Sequence, residues 1–412
     1  MLLSILLAVA SCTLALSPRQ ASTNGTTTTT TAATGTAPCV FSSDCKFTLG
    51  AWFWHTDMTP SQWNQVMGRQ YPSFQTDYSV PFDNSSMLYT APGARSPIPI
   101  TLRDVQGEWT EGTQASAFIT AYADQETSQG RGLDLITDEW LRYFANHLKK
   151  INTDTGRKCP EMEGTWMIYG PPVPMSTYVA VWIRMYRIVK QVYPDIQIVW
   201  APNYGWPNDI PGGSAGYWPG PEYVDVIGSS LYWKGFGRNT QVDKSFITTV
   251  MNGQYEYATR YNKPFVITEA SGAWELDVPS ATDQVTIQRQ FWGEILSTEF
   301  LDAYPLIQAA YIFDFAKPEE FFRDFKVSNN TSVRNMFIGL VDALDAKGRM
   351  AWAATATSSS TTTTSAVATN TATATANAAS VVAVSTTSKS GAYGFSFVGA
   401  VVVGAVFAAA AL

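Results

Sequence analysis

The chain has 412 residues, 45% hydrophobic, 13% aromatic and 15% charged, too apolar and too aromatic for a disordered protein. Its 27 Lys and Arg against 34 Asp and Glu leave a net charge of −7, with only two histidines, His55 and His147, which argues against a nucleic-acid reader and a His-rich metal centre. A low charged fraction beside 14 Trp, 19 Tyr and 21 Phe suits a secreted protein that offers flat apolar faces to a neutral, hydroxyl-rich ligand, and sugar is the obvious candidate.

In chain order, residues 1–17 read as a signal peptide: an apolar run ends in small residues, with Thr13 and Ala15 placed for a peptidase that needs small side chains. Val9-Ala10-Ser11-Cys12 also fits a lipoprotein box, so lipidation at Cys12 is the alternative. A Thr-rich linker, 18–37, precedes a folded part at 38–351, and 352–390 is a Ser/Thr/Ala-rich stretch that cannot bury a core and suits an O-glycosylated stalk. Residues 391–412 carry no Asp, Glu, Lys or Arg and read as a hydrophobic tail exchanged for a glycosylphosphatidylinositol anchor, with Ser388, Ser390, Gly391 and Asn377 as candidate attachment sites. A retained tail-anchoring helix is the alternative. Sequons at Asn24, Asn84, Asn329 and Asn330 agree with a eukaryotic secretory route.

Arg19 and Lys389 lie outside the folded part, which leaves it 25 basic against 34 acidic residues and no attraction to anionic polymers. Cys12 leaves with the signal; Cys39 and Cys45 are the expected bridge because their loop is short, and Cys159 is expected to be a buried free thiol. Strand-like runs fall at 47–54, 73–78, 98–102, the segment before Glu161, 197–200, 224–231, 264–268 and 307–313, with helical stretches at 133–150, 178–192 and 282–300. Eight strands alternating with helices predict an α/β fold, a (β/α)8 TIM barrel with disordered Ser/Thr-rich flanks. A doubly wound open sheet is the competing topology, but no Gly-rich fingerprint follows any strand, and polar and aromatic residues gather just after strand ends, where barrels place their sites.

Two glutamates stand out by position: Glu161 closes the fourth strand candidate and Glu269 the seventh. In a barrel those ends face each other across the mouth, so one carboxyl can protonate a leaving oxygen while the other attacks an anomeric carbon. Each could instead simply pair with an arginine such as Arg157 or Arg103.

Arg157-Lys-Cys-Pro-Glu161-Met-Glu163-Gly164-Thr-Trp166 resembles the glycoside hydrolase family 26 motif Arg-Pro-x-His-Glu-x-Asn-Gly-x-Trp, and Tyr217-Trp-Pro-Gly220-Pro-Glu-Tyr-Val-Asp225-Val-Ile-Gly228-Ser-Ser-Leu-Tyr232 resembles its Tyr-Pro-Gly-x-x-Tyr-Val-Asp-x-x-Gly-x-Asp-x-Tyr segment. Tyr178 to Trp182, Val199-Trp200-Ala-Pro-Asn203 and Lys263 to Glu269 extend the likeness over about 133–272. The resemblance implies a retaining enzyme acting mainly on β-mannans, without a cofactor or metal, with Glu161 as acid/base, Glu269 as nucleophile, Tyr232 bonded to the nucleophile and Arg157 supporting the site. The chain departs from the pattern at Pro160, Glu163 and Ser230, where the family has His, Asn and Asp.

Glu163 either points with Glu161 and raises its pKa by a second negative charge, or faces solvent. Trp166, Trp233 and Trp274 follow the catalytic strand ends and are expected, with Asn203, Tyr232, Arg157 and Glu163, to bind substrate, whereas Trp200 and Trp182 are expected in the core. Asp314 either lines the cleft or pairs with Lys317, and His55 is expected to pack or lie at the surface. The expected protein is a secreted, monomeric endo-β-glycoside hydrolase at the cell surface, taking a β-linked polysaccharide or oligosaccharide and touching the membrane only through a lipid anchor. A catalytically silent wall-glycan binder and a wall-remodelling transglycosidase remain the alternatives.

Overall fold

The computed structural model describes residues 37–54, 57–81, 88–89, 98–99, 113–128, 130–150, 155–158, 161–165, 167–203, 213–235, 237–279 and 281–354. Within them, eight strands close a parallel barrel: β1 Phe47–Phe53, β2 Ser73–Ser79, β3 Ser116–Tyr122, β4 Thr155–Lys158, β5 Gln197–Trp200, β6 Val226–Trp233, β7 Phe265–Gly272 and β8 Ile307–Asp314. Each pairs with its successor, and β8 returns to β1 from Thr48↔Ala309 to Phe53↔Asp314. Closure removes the sheet edges, and the parallel pairing requires a crossover between strands, which helices supply after β1, β3, β4, β6 and β7. The fold is the expected (β/α)8 barrel.

The third strand is not the expected one. Residues Ile98–Pro99 form only a two-residue antiparallel ribbon with Leu88–Tyr89, and Ser116–Tyr122 occupies the barrel position instead, between β2 and β4. Pro99 has no N–H to give a central ladder, whereas Ala117 through Tyr122 are all buried. The expected helix at 282–300 is two helices, Gln284–Ile295 and Thr298–Ala303, because the Ser297 hydroxyl accepts from the Phe300 amide at 3.1 Å and starts a second one. The helix at 133–150 likewise begins at Asp138, after a short 3-10 turn and a Thr137 side chain that accepts from the Trp140 amide.

Side chains alternate along each strand between the barrel interior and the helical layer. Phe118, Val199, Val226, Val266, Ala309 and Tyr311 fill the interior, while Leu49, Ala51, Ile119, Ile198, Ile227, Ile267 and Ile312 face the helices. Gly50 is required here: a Cβ on it would lie 2.3 Å from the Tyr311 ring that fills the barrel centre. Outside, the helix Met175–Val192 turns Tyr178, Trp182, Met185 and Val189 inward at helical spacing, and the Trp182 indole donates to the Tyr223 carbonyl at 2.8 Å, so Trp182 is core as expected. Trp200 is also fully buried. The bottom of the barrel is closed by the segment around Val40 and Phe41, tied by the Cys39–Cys45 disulfide and by Val40 N–H to the Gln308 side chain at 2.8 Å. Cys159, Pro160, His55 and the segments 1–36 and 355–412 lie outside the described residues.

Candidate active site

The barrel mouth opens into a cavity of about 400 Å³ lined by Glu161, Glu269, Tyr232, Asn203, Asp77, Tyr122, Met167 and a set of aromatic rings. Glu269 owes its place to an irregularity in β7. Ile267 pairs with Ser229 on β6, but Glu269 rather than Thr268 pairs with Ser230, so β7 carries one extra residue. Val266 and Thr268 are inside, Thr268 standing against the interior position of Gly228. Regular alternation would turn Glu269 out beside Ile267; the bulge lets Glu269 follow Thr268 inward, and Ala270 resumes the outer face.

Glu269 is 8% exposed. The Tyr232 hydroxyl donates to its Oε2 at 2.5 Å, and Gln75 Nε2 donates to Oε1 at 3.4 Å while also bonding Thr120 Oγ1 at 2.9 Å. A short hydrogen bond from a neutral hydroxyl to a buried carboxylate favours the charged, nucleophilic form and fixes the oxygen in place. Tyr232 is in turn gripped edge-on by Phe313 and Phe325, with ring centroids 5.4 Å away in both cases.

Glu161 stands three residues past the end of β4 rather than closing it. Its φ of 52° is in the left-handed region, a strain of about 1–2 kcal/mol for a residue with a Cβ. The turn is held by Glu161 N–H to the Ala201 carbonyl at 3.0 Å and by Gly164 N–H to the Glu161 carbonyl at 2.8 Å. Arg157 lies on β4 between Thr120 and Val199, and its side chain is outside the described residues.

Glu163 answers neither expectation. It is 6% exposed, so it does not face solvent, and it is absent from the cavity lining. Burial first, and the Glu161 charge second, push its carboxyl up to about 8, so at neutral pH it is uncharged and adds no second negative charge beside Glu161.

The sugar-facing aromatic residues also differ from those expected. Trp233 is 6% exposed, donates to the Thr240 carbonyl and packs on Phe246, while Trp274 donates to the Thr282 carbonyl and packs on the core; neither lines the cavity. Trp166 lies outside the described residues. The rings that do line the cavity are Trp52, Trp54, Phe313, Phe315 and Phe325. Trp52 stacks on Phe313 at 4.7 Å and 1°, and Trp54 leans on Phe315 at 5.6 Å nearer the rim. A usable signal was present: Trp52/Trp54 and Phe313/Phe315 are both i, i+2 pairs at the ends of strands paired to each other, so all four fall on one face.

An ionic cluster centred on the buried Arg323–Glu275 pair braces one side of the mouth. Arg323, 3% exposed, pairs with fully buried Glu275 at 3.2 Å, with Glu320 at 2.8 Å and with Glu319. Glu319 also binds Lys317 at 2.9 Å and Lys234 at 3.0 Å, linking the segments after β6, β7 and β8. Burial raises the Glu319 carboxyl, but the two lysines outweigh it and hold it at about 2. Lys317 therefore does not pair with Asp314, and Asp314 does not line the cleft: it is 2% exposed and accepts from the Val327 and Ser328 amides at 2.6 and 3.1 Å and from the Ser328 hydroxyl. Among the described residues no group of three His, Cys, Asp or Glu side chains is placed to hold a metal ion.

The strands thus form a closed parallel (β/α)8 barrel whose mouth carries two carboxylates beside stacked rings. Among solved structures the chain is similar to the catalytic domain of the Bacillus sp. JAMB-750 GH26 endo-beta-1,4-mannanase, with a TM-score of 0.51 and 13% identity over 74% of this chain and 87% of that one. It is similar to GH26C from Muricauda sp. MAR_2010_75 over the same shares, with a TM-score of 0.50 and 13% identity. At such identity the likeness is one of fold. No family model matches the chain, and no curated protein matches it.

Proposed function

We propose that the protein is a retaining endo-β-glycoside hydrolase that acts, as a monomer, on a cell-wall β-polysaccharide such as β-mannan. The observation that carries this reading is the pairing, in one cavity, of Glu161 with a Glu269 whose oxygen is held by Tyr232. Glu269 attacks the anomeric carbon as Glu161 protonates the departing glycosidic oxygen; Glu161 then takes a proton from water as that water displaces Glu269. Trp52, Trp54 and Phe315 offer the flat apolar surface against which a pyranose ring stacks. The 13%-identical neighbours of the same fold include an endo-beta-1,4-mannanase, which agrees with a β-mannan substrate. We further propose that the chain is exported and tied to the cell surface through a lipid anchor that replaces 391–412.

The test is mechanism-based labelling followed by products. The secreted domain is incubated with 2-deoxy-2-fluoro β-glycosides of mannose, glucose and xylose carrying dinitrophenyl leaving groups, and then with β-mannan, β-glucans and xylan. A covalent adduct on the peptide containing Glu269, and oligosaccharides released with retained anomeric form, are the expected results. A protein that binds wall polysaccharide but is labelled by none of the three overturns the enzyme reading in favour of a silent binder; products longer than the donor mark a transglycosidase.

A further inference from the structure

The segment after β4 carries a second carboxyl that the reaction above does not use. Glu161 lines the cavity, Met162 is anchored in the outer core, and Glu163 is buried away from the cavity, near enough to Glu161 to feel its charge. Neither Glu163 oxygen has a hydrogen-bond partner of ordinary geometry; the backbone amides of Glu163 itself and Asn203 are the polar groups turned toward it. Among the described residues, the titratable groups facing it are Glu161 from its own segment and Tyr217 from Gly213–Tyr217, whose buried hydroxyl also has no partner and which feels the Glu163 charge; the segment after β5 contributes the Asn203 amide. Among the described residues no cation faces it. Two amides of poor geometry, with no counter-charge among the described residues, do not compensate an ionised carboxylate buried here, so the site favours the neutral acid.

We propose that Glu163 is a positioning residue for Glu161: as a neutral carboxyl buried near it, Glu163 leaves Glu161 the only group on that side whose charge changes during turnover, and disables the site when it loses its own proton. This rests on the assignment of Glu161 as acid/base. When the glycosidic oxygen takes the Glu161 proton, one negative charge appears on Glu161. A neutral Glu163 lets that charge form. An ionised Glu163 opposes it by like-charge repulsion and pulls its own segment toward water, away from the packing that aims Glu161 into the cavity. The chemistry asks for a group that is small, planar and uncharged, and that is what an amide at this position would also provide.

Two measurements on the secreted domain test it, with wild type, Glu163→Gln and Glu163→Ala side by side. The first is the melting temperature from pH 4 to 9, which needs no activity. The Glu163 carboxyl rises from its ordinary 4.5 to about 8 in the fold; the unfolded chain therefore releases a proton that the folded chain keeps, and wild type loses stability progressively between those values. Glu163→Gln has no proton to release, so its melting temperature is expected to meet wild type near pH 4 and to rise above it up to pH 8. The second is turnover of the polysaccharide identified by the substrate panel. Glu163→Ala is expected to lose tens-fold in kcat with little change in KM, Glu163→Gln to recover at least tenfold of that loss, and turnover above about pH 8 to fall more steeply in wild type than in Glu163→Gln, which keeps only the alkaline limb set by Glu161 itself. Parallel melting curves across the range, a Gln variant as poor as the Ala variant, or the same alkaline fall in both overturn the proposal. Labelling of Glu269 in wild type separates these failures from a failure of the enzyme assignment itself.

Discussion

Replacing Tyr232 by Phe removes one oxygen from the site and leaves its ring between Phe313 and Phe325. The bond it removes, 2.5 Å to Glu269 Oε2, is charge-assisted and buried, a class worth about 1.5–3 kcal/mol. Gln75 cannot take its place, because its contact is with the other oxygen at 3.4 Å and its amide is already committed to Thr120. Where the loss falls follows from the charge. Glycosylation consumes the Glu269 charge that Tyr232 stabilises, and deglycosylation regenerates it, so the carboxylate becomes a poorer leaving group in the second step. With a dinitrophenyl β-glycoside, whose departure needs no acid, Tyr232→Phe should therefore lower kcat about 10- to 150-fold and lower KM with it, as glycosyl-enzyme accumulates. Rapid-mixing kinetics should show a phenol burst of one equivalent per site, and intact mass should show the adduct at steady state. A raised KM with unchanged kcat, or a kcat within twofold of wild type, would refute the assignment of Tyr232 to the nucleophile.

Three further outcomes are expected. Trp54→Ala strips one ring of the stacked wall, and KM for the polysaccharide should rise roughly 2- to 12-fold, the equivalent of about 0.5–1.5 kcal/mol for an aromatic contact, as read from initial rates. Arg323→Met leaves Glu275 buried without its partner and should lower unfolding free energy by about 3–5 kcal/mol in urea titration, with part of the loss recovered in Arg323→Met/Glu275→Leu. The Asn330 side chain accepts from the Ser332 and Val333 amides at the start of the helix Thr331–Asp345, so Asn330→Ala should lower stability by about 1 kcal/mol in the same assay.

The barrel was legible because its signal is redundant. Seven of its eight strands lie in the segments expected for them, six marked by apolar or alternating runs such as Phe265 to Ile267 and Ile307 to Phe313 and the fourth only by its place before Glu161, and one false strand at Ile98 did not spoil the pattern. Glu161 and Glu269 could be found because they sit in motifs whose spacing is local. What escaped was set by contacts between distant segments. Trp233 and Trp274 follow strand ends just as cavity residues do, but the Thr240 and Thr282 carbonyls take their indole N–H groups and turn them into the core. Asp314 finds its donors thirteen and fourteen residues on, at Val327 and Ser328. The inward turn of Glu269 depends on one extra residue relative to both neighbouring strands, which no period-two reading of β7 contains.

The left-handed backbone at Glu161 has a consequence for how such a chain would drift. A glycine there would relieve a strain of about 1–2 kcal/mol, so Glu161→Gly should melt higher than wild type while losing the acid. Selection for fold stability alone thus favours losing the acid, and only selection for turnover opposes it. Loss of activity in a lineage of this protein would begin at Glu161 before Glu269, whose extended backbone offers no such gain. A relative that kept Glu269, Tyr232 and the stacked rings but carried Gly at this corner would be a retired enzyme whose fold had gained by the change.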